Sequence, residues 1–352
     1  MPGELIKDYV LIRDEKEASR IYNKGYYGEV QSGGSLKLAL IEATFLAELG
    51  RIEVFKSSQK LELKDLVLYA TELYKGFEIK YTVYRDFRQR GYVIKGFKEI
   101  EGIDFEAYPR GGAPNKTKSK FLLAAISERT KFKIEELTKL LENAKRARKQ
   151  LLLGIVDEEG DLTYYRAAKV EPKSKVEFQK PSKVAEATFL KDRSIVWNSA
   201  QAEELLKTEF YGKSLGKALQ LSLTETSYLL EKDLLEVKDA KTMKPLTFDT
   251  LFNKSKKLQP GFELSFKAYK DMKKRGLLVK TGFKYGTHFR VYDDLPDKVH
   301  ARYLAHAVPQ DYISTWPEIS RAVRLAHGVK KEILFARVGE KVEYLRLGRV
   351  RP

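Results

Sequence analysis

Apolar and polar positions along this chain change their period in an order that occurs twice. In the first half a strand-like run from Tyr9 to Ile12 leads into a helical pattern from Glu15 to Lys24, then the turn Gly25-Tyr26-Tyr27-Gly28, then LKLALIEATFLAELGRIEV. In the second half Ser194 to Trp197 reads as the strand and Ser199 to Glu209 as a helix opened by a Ser cap. Phe210-Tyr211-Gly212 is the turn, and LQLSLTETSYLLEKDLLEV follows. Leu40, Glu42 and Val54 find Leu223, Glu225 and Val237 at an offset of 183 residues. Tyr84-Arg85-Asp86-Phe87 and Arg90-Gly91-Tyr92-Val93-Ile94-Lys95 find Tyr269-Lys270-Asp271-Met272 and Arg275-Gly276-Leu277-Leu278-Val279-Lys280 at 185. Lys149 to Leu153 meets Lys331 to Phe335 at 182.

A nearly constant offset over the whole length predicts two tandem copies of one unit, because helical patterns alone match only locally. The expected class is α+β: each unit has a small α/β N-terminal subdomain and a mixed-sheet C-terminal subdomain. The first repeat is placed at residues 1–168, dividing near 70 and 71, and the Pro- and Lys-rich run over 169–185 is the linker. The second repeat then divides into 186–255 and 256–352.

Composition narrows the partners. With 43% hydrophobic residues the 352-residue chain is globular, and its 66 Lys and Arg against 49 Asp and Glu leave a net charge of +17, which favours a polyanion. The absence of Cys removes disulfides, thiolate nucleophiles and Cys-based metal sites, and a reducing, cytoplasmic setting is expected. No signal-like N-terminus and no apolar run near the ~18 residues of a membrane span is seen, so no membrane partner is expected.

The four histidines, His288, His300, His306 and His327, share one C-terminal window with GTHFRVY and SRAVRLAHGVKKEILFARV. A helix is predicted from Glu318 to about Lys331, with Ile319, Ala322, Val323, Ala326 and Val329 inward and Arg324, His327 and Lys331 on the wet stripe. Strands are predicted at Thr287–Tyr292, at His300–Val308 with His300, Arg302, Leu304 and His306 on one face, and at Ile333–Val338. Tyr292, His300 and Lys331 then sit at element ends, where side chains can converge. A lone histidine or tyrosine is more often packing than chemistry. The repeat weighs against that here: Tyr292 and Lys331 correspond to Tyr108 and Lys149, but His300 faces Lys118, and the other three histidines have no histidine counterpart. The second copy is expected to work and the first to support it.

The runs RGLLVKTGFKYGTHFRVY, HARYLAHAV and SRAVRLAHGVKKEILFARV resemble the catalytic domain of the archaeal tRNA-splicing endonucleases, and a degenerate copy followed by an intact one is similar to their two-unit homodimeric class. The resemblance implies a ribonuclease without metal or cofactor that cuts precursor tRNA at bulge-helix-bulge junctions, leaving a 2′,3′-cyclic phosphate and a 5′-hydroxyl. It places the family's catalytic triad on Tyr292, His300 and Lys331, and the arginines that sandwich a flipped base on Arg324 and Arg346. The acidic loop that family dimers insert into a basic pocket of the partner falls on Asp157, Glu158, Glu159 and Asp161.

Metal-free RNA cleavage uses the substrate's 2′-hydroxyl as nucleophile and needs a base there, an acid at the leaving 5′-oxygen and a cation by the phosphorane. An imidazole suits the acid. A phenol is a poor base unless a cation such as Lys331 lies beside it. The alternatives are a metal-dependent nuclease built on Asp293 and Asp294, and a non-catalytic structured-RNA-binding protein.

Overall fold

The computed structural model describes every residue except Met1, Val176, Phe178, Lys180, Asp297 and Lys298. The linker and the loop before His300, as read from the sequence, therefore lie partly outside the described residues. The first repeat opens with β1 (Pro2–Ile6), β2 (Tyr9–Ile12), α1 (Glu15–Gly25), β3 (Glu29–Val30), β4 (Leu36–Ala39), α2 (Leu40–Glu48), β5 (Glu53–Lys56), β6 (Gln59–Leu61) and α3 (Leu63–Leu73). It continues with α4 (Phe77–Gln89), β7 (Ile94–Gly96), β8 (Phe105–Ala107), β9 (Phe121–Ser127), β10 (Lys131–Lys133), α5 (Ile134–Arg146), β11 (Gln150–Val156) and β12 (Leu162–Val170).

The second repeat returns the same order. It has β13 (Ala185–Phe189), β14 (Arg193–Val196), α6 (Ser199–Glu209), β15 (Lys213–Leu215), β16 (Ala218–Ser222), α7 (Leu223–Glu231), β17 (Leu235–Asp239) and α8 (Phe248–Leu258). There follow α9 (Phe262–Lys274), β18 (Leu278–Thr281), β19 (Phe289–Tyr292), β20 (Tyr303–Pro309), β21 (Ile313–Thr315), α10 (Trp316–Gly328), β22 (Glu332–Val338) and β23 (Val342–Val350). The fold is the expected α+β duplication. The cap of α6 is Asn198 rather than Ser199: its side chain accepts from the N–H groups of Ala200 and Gln201.

Each N-terminal subdomain is a small sheet, β3-β4-β2-β1-β5-β6 in the first repeat and β15-β16-β14-β13-β17 in the second. The two C-terminal subdomains merge into one ten-stranded sheet, β18-β19-β20-β22-β23-β12-β11-β9-β8-β7. Read outward from the middle, the two halves list equivalent strands, so the repeats meet about a pseudo-twofold axis between β12 and β23. Those two strands pair antiparallel from Tyr164↔Val350 to Val170↔Tyr344, and β10 pairs with its own equivalent, β21.

One face of the sheet is covered by α5 and α10. Leu137, Leu141, Tyr165, Ile319, Val323 and Leu345 share a single core there, drawn from both repeats. Burying each such aliphatic side chain contributes about 1.5–3 kcal/mol, so the repeats are bound together by their core. The Tyr165 hydroxyl bonds to Ser320 Oγ across it at 2.9 Å. The opposite face packs on α4 in the first repeat and α9 in the second, pinned alike by Tyr164 to Asp86 and Tyr344 to Asp271, each at 2.7 Å. A buried carboxylate joins the subdomains in both repeats. Glu42 accepts from Gly28 N and Lys95 Nζ, each at 3.0 Å, and Glu225 accepts from Gly212 N at 2.9 Å and Lys280 Nζ at 3.3 Å.

Candidate active site

Alternation along the strands decides which side chains share the α10 face. In β19 Phe289 and Val291 pack toward α9, so Arg290 and Tyr292 project on the other side. In β22 Ile333 and Phe335 pack under α10, which puts Lys331, just ahead of the strand, on that same side. The register aligns them. Val291 pairs with Tyr303, and Tyr303 with Glu332. Arg302 N–H donates to Val291 O and Glu332 N–H to Arg302 O, both at 3.0 Å, so Tyr292, Arg302 and Lys331 occupy one row at the ends of three neighbouring strands. At about 4.8 Å per strand the Tyr292 and Lys331 backbones are about 10 Å apart, a gap that two long side chains span.

His300 approaches this row from a loop, not from a strand: β20 begins only at Tyr303, and the imidazole is exposed. The loop is anchored beside Tyr292, where buried Asp293 takes a 2.9 Å bond from Arg302 and a 3.4 Å ion pair from Lys175 of the inter-repeat segment. Lys175 N–H also donates to Asp293 O at 2.8 Å. Burial raises the Asp293 carboxyl pKa, but the bonds and charges of Arg302 and Lys175 outweigh it and hold it below the usual range. Its charge is spent on those two cations. Among the described residues no three His, Asp or Glu side chains gather as a metal site would require.

Lys331 lies beyond the helix rather than on it. Thr315 Oγ1 caps α10, which ends at Gly328; Lys330 turns the chain with a φ of +56°, and Lys331 N–H closes back on Ala326 O at 2.9 Å. That turn is why the second lysine of the pair, not the first, enters the row. Its Nζ donates to Val329 O at 3.2 Å and lies 5.7 Å from the centroid of the Tyr285 ring.

The other histidines divide. His327 is exposed on the last turn of α10. His288 and His306 are a packing pair, although neither has a histidine counterpart in the first repeat. His288 Nδ1 accepts from Ala307 N–H at 3.1 Å, the two rings meet edge to face at 5.7 Å, and His306 stacks on Phe335. Burial, with the neighbouring His288, lowers the His306 pKa to about 4, and burial lowers that of His288.

Arg324 stands exposed on α10, but Arg346 does not face it. Arg346 alternates with Leu345 and Leu347, both buried under α10, so it points to the reverse face, where Glu332 holds it at 3.1 Å. Arg349, which the sequence reading did not single out, does lie on the face of Arg324. Ile333 pairs with Leu347, which sets Arg349 opposite Lys331 in the row of Tyr292 and Arg302, and it is exposed on the α10 face. Period-two counting from Leu345 would have found it. Asp157, Glu158, Glu159 and Asp161 lie exposed on the β11–β12 hairpin, some 180 residues from the matching Gly339-Glu340-Lys341 turn. Asp157 accepts from Glu159 N–H and Asp161 N–H, and Glu158 pairs with Arg129 at 3.0 Å.

The first repeat uses the same positions differently. The Glu106 carboxylate receives Lys149 Nζ at 2.7 Å, Ser119 Oγ at 2.5 Å and the Tyr108 hydroxyl at 3.4 Å. Burial and then the Glu106 charge raise the Tyr108 pKa, so its phenol stays protonated. Both residues retained there are spent on one internal anion. The position of Glu106 is Arg290 in the second repeat, and among the described residues neither the Tyr292 hydroxyl nor the His300 ring has a hydrogen-bond partner.

Comparisons with known proteins identify the family. A family model described as tRNA intron endonuclease, catalytic C-terminal domain, matches residues 77–164 and again 262–344, and one described as tRNA intron endonuclease, N-terminal domain, matches 1–67 and 185–252. The chain is 40% identical over 360 residues to a tRNA-splicing endonuclease of Methanococcoides burtonii, covering 100% of both chains. It is 38% identical to one of Methanosarcina mazei, with 99% of this chain and 98% of that one covered, and 28% identical to one of Halobacterium salinarum over 100% of each. Two N-terminal and two catalytic segments in tandem, with one copy of the row left open, place this chain in the tRNA intron endonuclease family, and it is an endonuclease of tRNA splicing.

Proposed function

We propose that the second repeat cuts precursor tRNA at bulge-helix-bulge junctions by metal-independent attack of the 2′-hydroxyl on the adjacent phosphorus, giving a 2′,3′-cyclic phosphate and a 5′-hydroxyl. The observation that carries the reading is the open row at the ends of β19, β20 and β22, set against its duplicate plugged by Glu106. Tyr292 takes the 2′-hydroxyl proton, His300 gives one to the leaving 5′-oxygen, and Lys331 neutralises the charge that builds on the phosphorane. Arg324, together with Arg349 rather than Arg346, grips an unstacked bulge base between guanidinium planes.

Two copies of the chain form the working unit, and it acts in the cytoplasm. The exposed Asp157–Asp161 hairpin fits the cleft of about 2550 Å³ between the subdomains of the second repeat, into which Lys232, Lys267, Lys274 and Lys341 bring positive charge. Cleavage of an intron-containing transcript in EDTA, with analysis of the new ends, tests the reaction. Cyclic phosphate is expected from the unmodified enzyme, and His300→Ala should lose about 10²–10⁴-fold in rate while still binding RNA. Cleavage abolished by EDTA and restored by Mg²⁺, or full activity in His300→Ala, refutes it. A mass measurement showing only monomer at working concentration refutes the dimer.

A further inference from the structure

The lysine of the row rests on an aromatic ring in both repeats, and the two rings come from the same place in the fold. Lys149 Nζ lies 5.2 Å from the centroid of Phe97, in the turn between β7 and β8, and Lys331 Nζ lies 5.7 Å from that of Tyr285, in the turn between β18 and β19. Both rings pack partly buried against the core beneath α5 and α10. The turns differ in length and sequence, so the shared feature is the ring under the ammonium. In the first repeat Glu106 also holds the lysine; in the second no carboxylate among the described residues does, and the ring and the Val329 carbonyl are its partners there.

The turn carrying Tyr285 is built to stay put. Tyr285 N–H donates to Gly282 O at 2.8 Å, and Gly282 N–H to His288 O at 3.0 Å. A side chain at Gly282 would meet Thr287 Oγ1 at 2.3 Å, so only glycine closes the turn this tightly. His288 then ties its far limb to β20 through Ala307 N–H at 3.1 Å, with His306 and Phe335 stacked behind it. His288, at the surface, and His306, half-buried behind it, thus brace the platform.

We infer that Tyr285 is a positioning residue that holds the Lys331 ammonium over its ring face and so aims it at the scissile phosphate. A lysine carries four rotatable bonds, and a charge that wanders stabilises a developing phosphorane less than one held in place. A ring face attracts an ammonium without neutralising it, whereas a carboxylate would cancel the charge the reaction needs. The inference rests on the role of Lys331 proposed above.

The test measures kcat and KM on an intron-containing transcript for Tyr285→Leu, Tyr285→Phe, Lys331→Ala and the Tyr285→Leu/Lys331→Ala double variant, with thermal melts to show that each is folded. Tyr285→Leu, which keeps bulk but loses the ring, should lower kcat by about 3- to 30-fold with little change in KM. Tyr285→Phe should recover most of that loss, and in the Lys331→Ala background Tyr285→Leu should cost nothing more, because the ring acts only through the lysine. An equal loss in that background, a rise in KM alone, or failure of phenylalanine to rescue overturns the inference and leaves the role of the lysine standing. A Lys331→Ala enzyme that cuts at the unmodified rate overturns both.

Discussion

Replacing Arg349 and Arg346 one at a time separates two residues that lie three apart on β23 and face opposite ways. Arg349 shares the α10 face with Arg324 and the row with Lys331, whereas Arg346 is held on the reverse face by Glu332 at 3.1 Å. Stacking of a base on such a platform is worth about 1–3 kcal/mol per base, so Arg349→Ala should weaken cleavage by about 5- to 150-fold. Arg346→Ala removes an ion pair that is partly open to solvent, its side chains 27% and 37% exposed, and should cost at most about 1 kcal/mol of stability and little activity. The assay is kcat/KM on two RNAs, one with its bulge bases intact and one with an abasic site at the gripped position. Arg349→Ala should lose on the first and match the unmodified enzyme on the second. A larger loss for Arg346→Ala, or an Arg349→Ala loss that persists without the base, refutes the assignment by strand alternation.

Two further substitutions test the scaffold. Glu225→Gln breaks a buried ion pair and should destabilise the second repeat by about 2–4 kcal/mol, less than for a wholly buried pair because the Lys280 side chain is 21% exposed. Burial raises the Glu225 pKa, but Lys280 and the bonds from Ser222 and Gly212 outweigh it and leave it lowered. Its contribution is therefore present above the unfolded carboxyl value of about 4.3 and lost as pH falls through the folded one. In melts from pH 7 down to pH 3 the gap between unmodified and Glu225→Gln protein should close below about pH 4.5, and a constant gap contradicts the ion-pair account. Glu106→Gln releases Lys149 and should cost about 1 kcal/mol in the first repeat, its pair being about one-fifth exposed, while cleavage by the second repeat is maintained; loss of cleavage would show that the first repeat takes part in chemistry.

The duplication was legible because periodicity and turn residues are local properties, and an offset that holds from Leu40 to Phe335 cannot come from local pattern. That the two halves share one sheet was not, since nothing in the sequence of β12 or β23 says whether its open edge meets a partner repeat or solvent. Tyr292 and Lys331 were legible as residues at strand ends, and the structure sets them in one row two strands apart, because strand ends are where backbone register and a cleft coincide. The histidines misled in part: His288 and His306 lack counterparts for a packing reason, the bracing of one turn, which absence from the other repeat does not distinguish from catalysis. Arg346 lies on the face opposite Arg324, because a residue's face depends on its register along the strand, which family resemblance did not supply. The helix ran short of Lys331 because Lys330 adopts a left-handed conformation that no helical pattern reveals.

One charge reversal separates the two copies of the row. Glu106 and Arg290 occupy the same position of equivalent strands, each on the face that carries the tyrosine and the lysine. A unit charge at about 4 Å in a partly solvated cleft is worth about 4 kcal/mol, so exchanging a carboxylate for a guanidinium shifts the cost of bringing a phosphate there by several kcal/mol. With Glu106 in place, Lys149 and Tyr108 satisfy an internal anion, and an RNA phosphate would have to displace it against like charge. Arg290 reverses that field: its Nε donates to Thr281 O at 2.9 Å, which fixes the guanidinium beside β18 without cancelling its charge. A histidine at the position of Lys118 would therefore not by itself restore the first repeat, since the proton donor would arrive at a cleft already filled. The asymmetry needs two independent changes to undo, and the first half can carry the acidic hairpin and the shared core without competing for substrate.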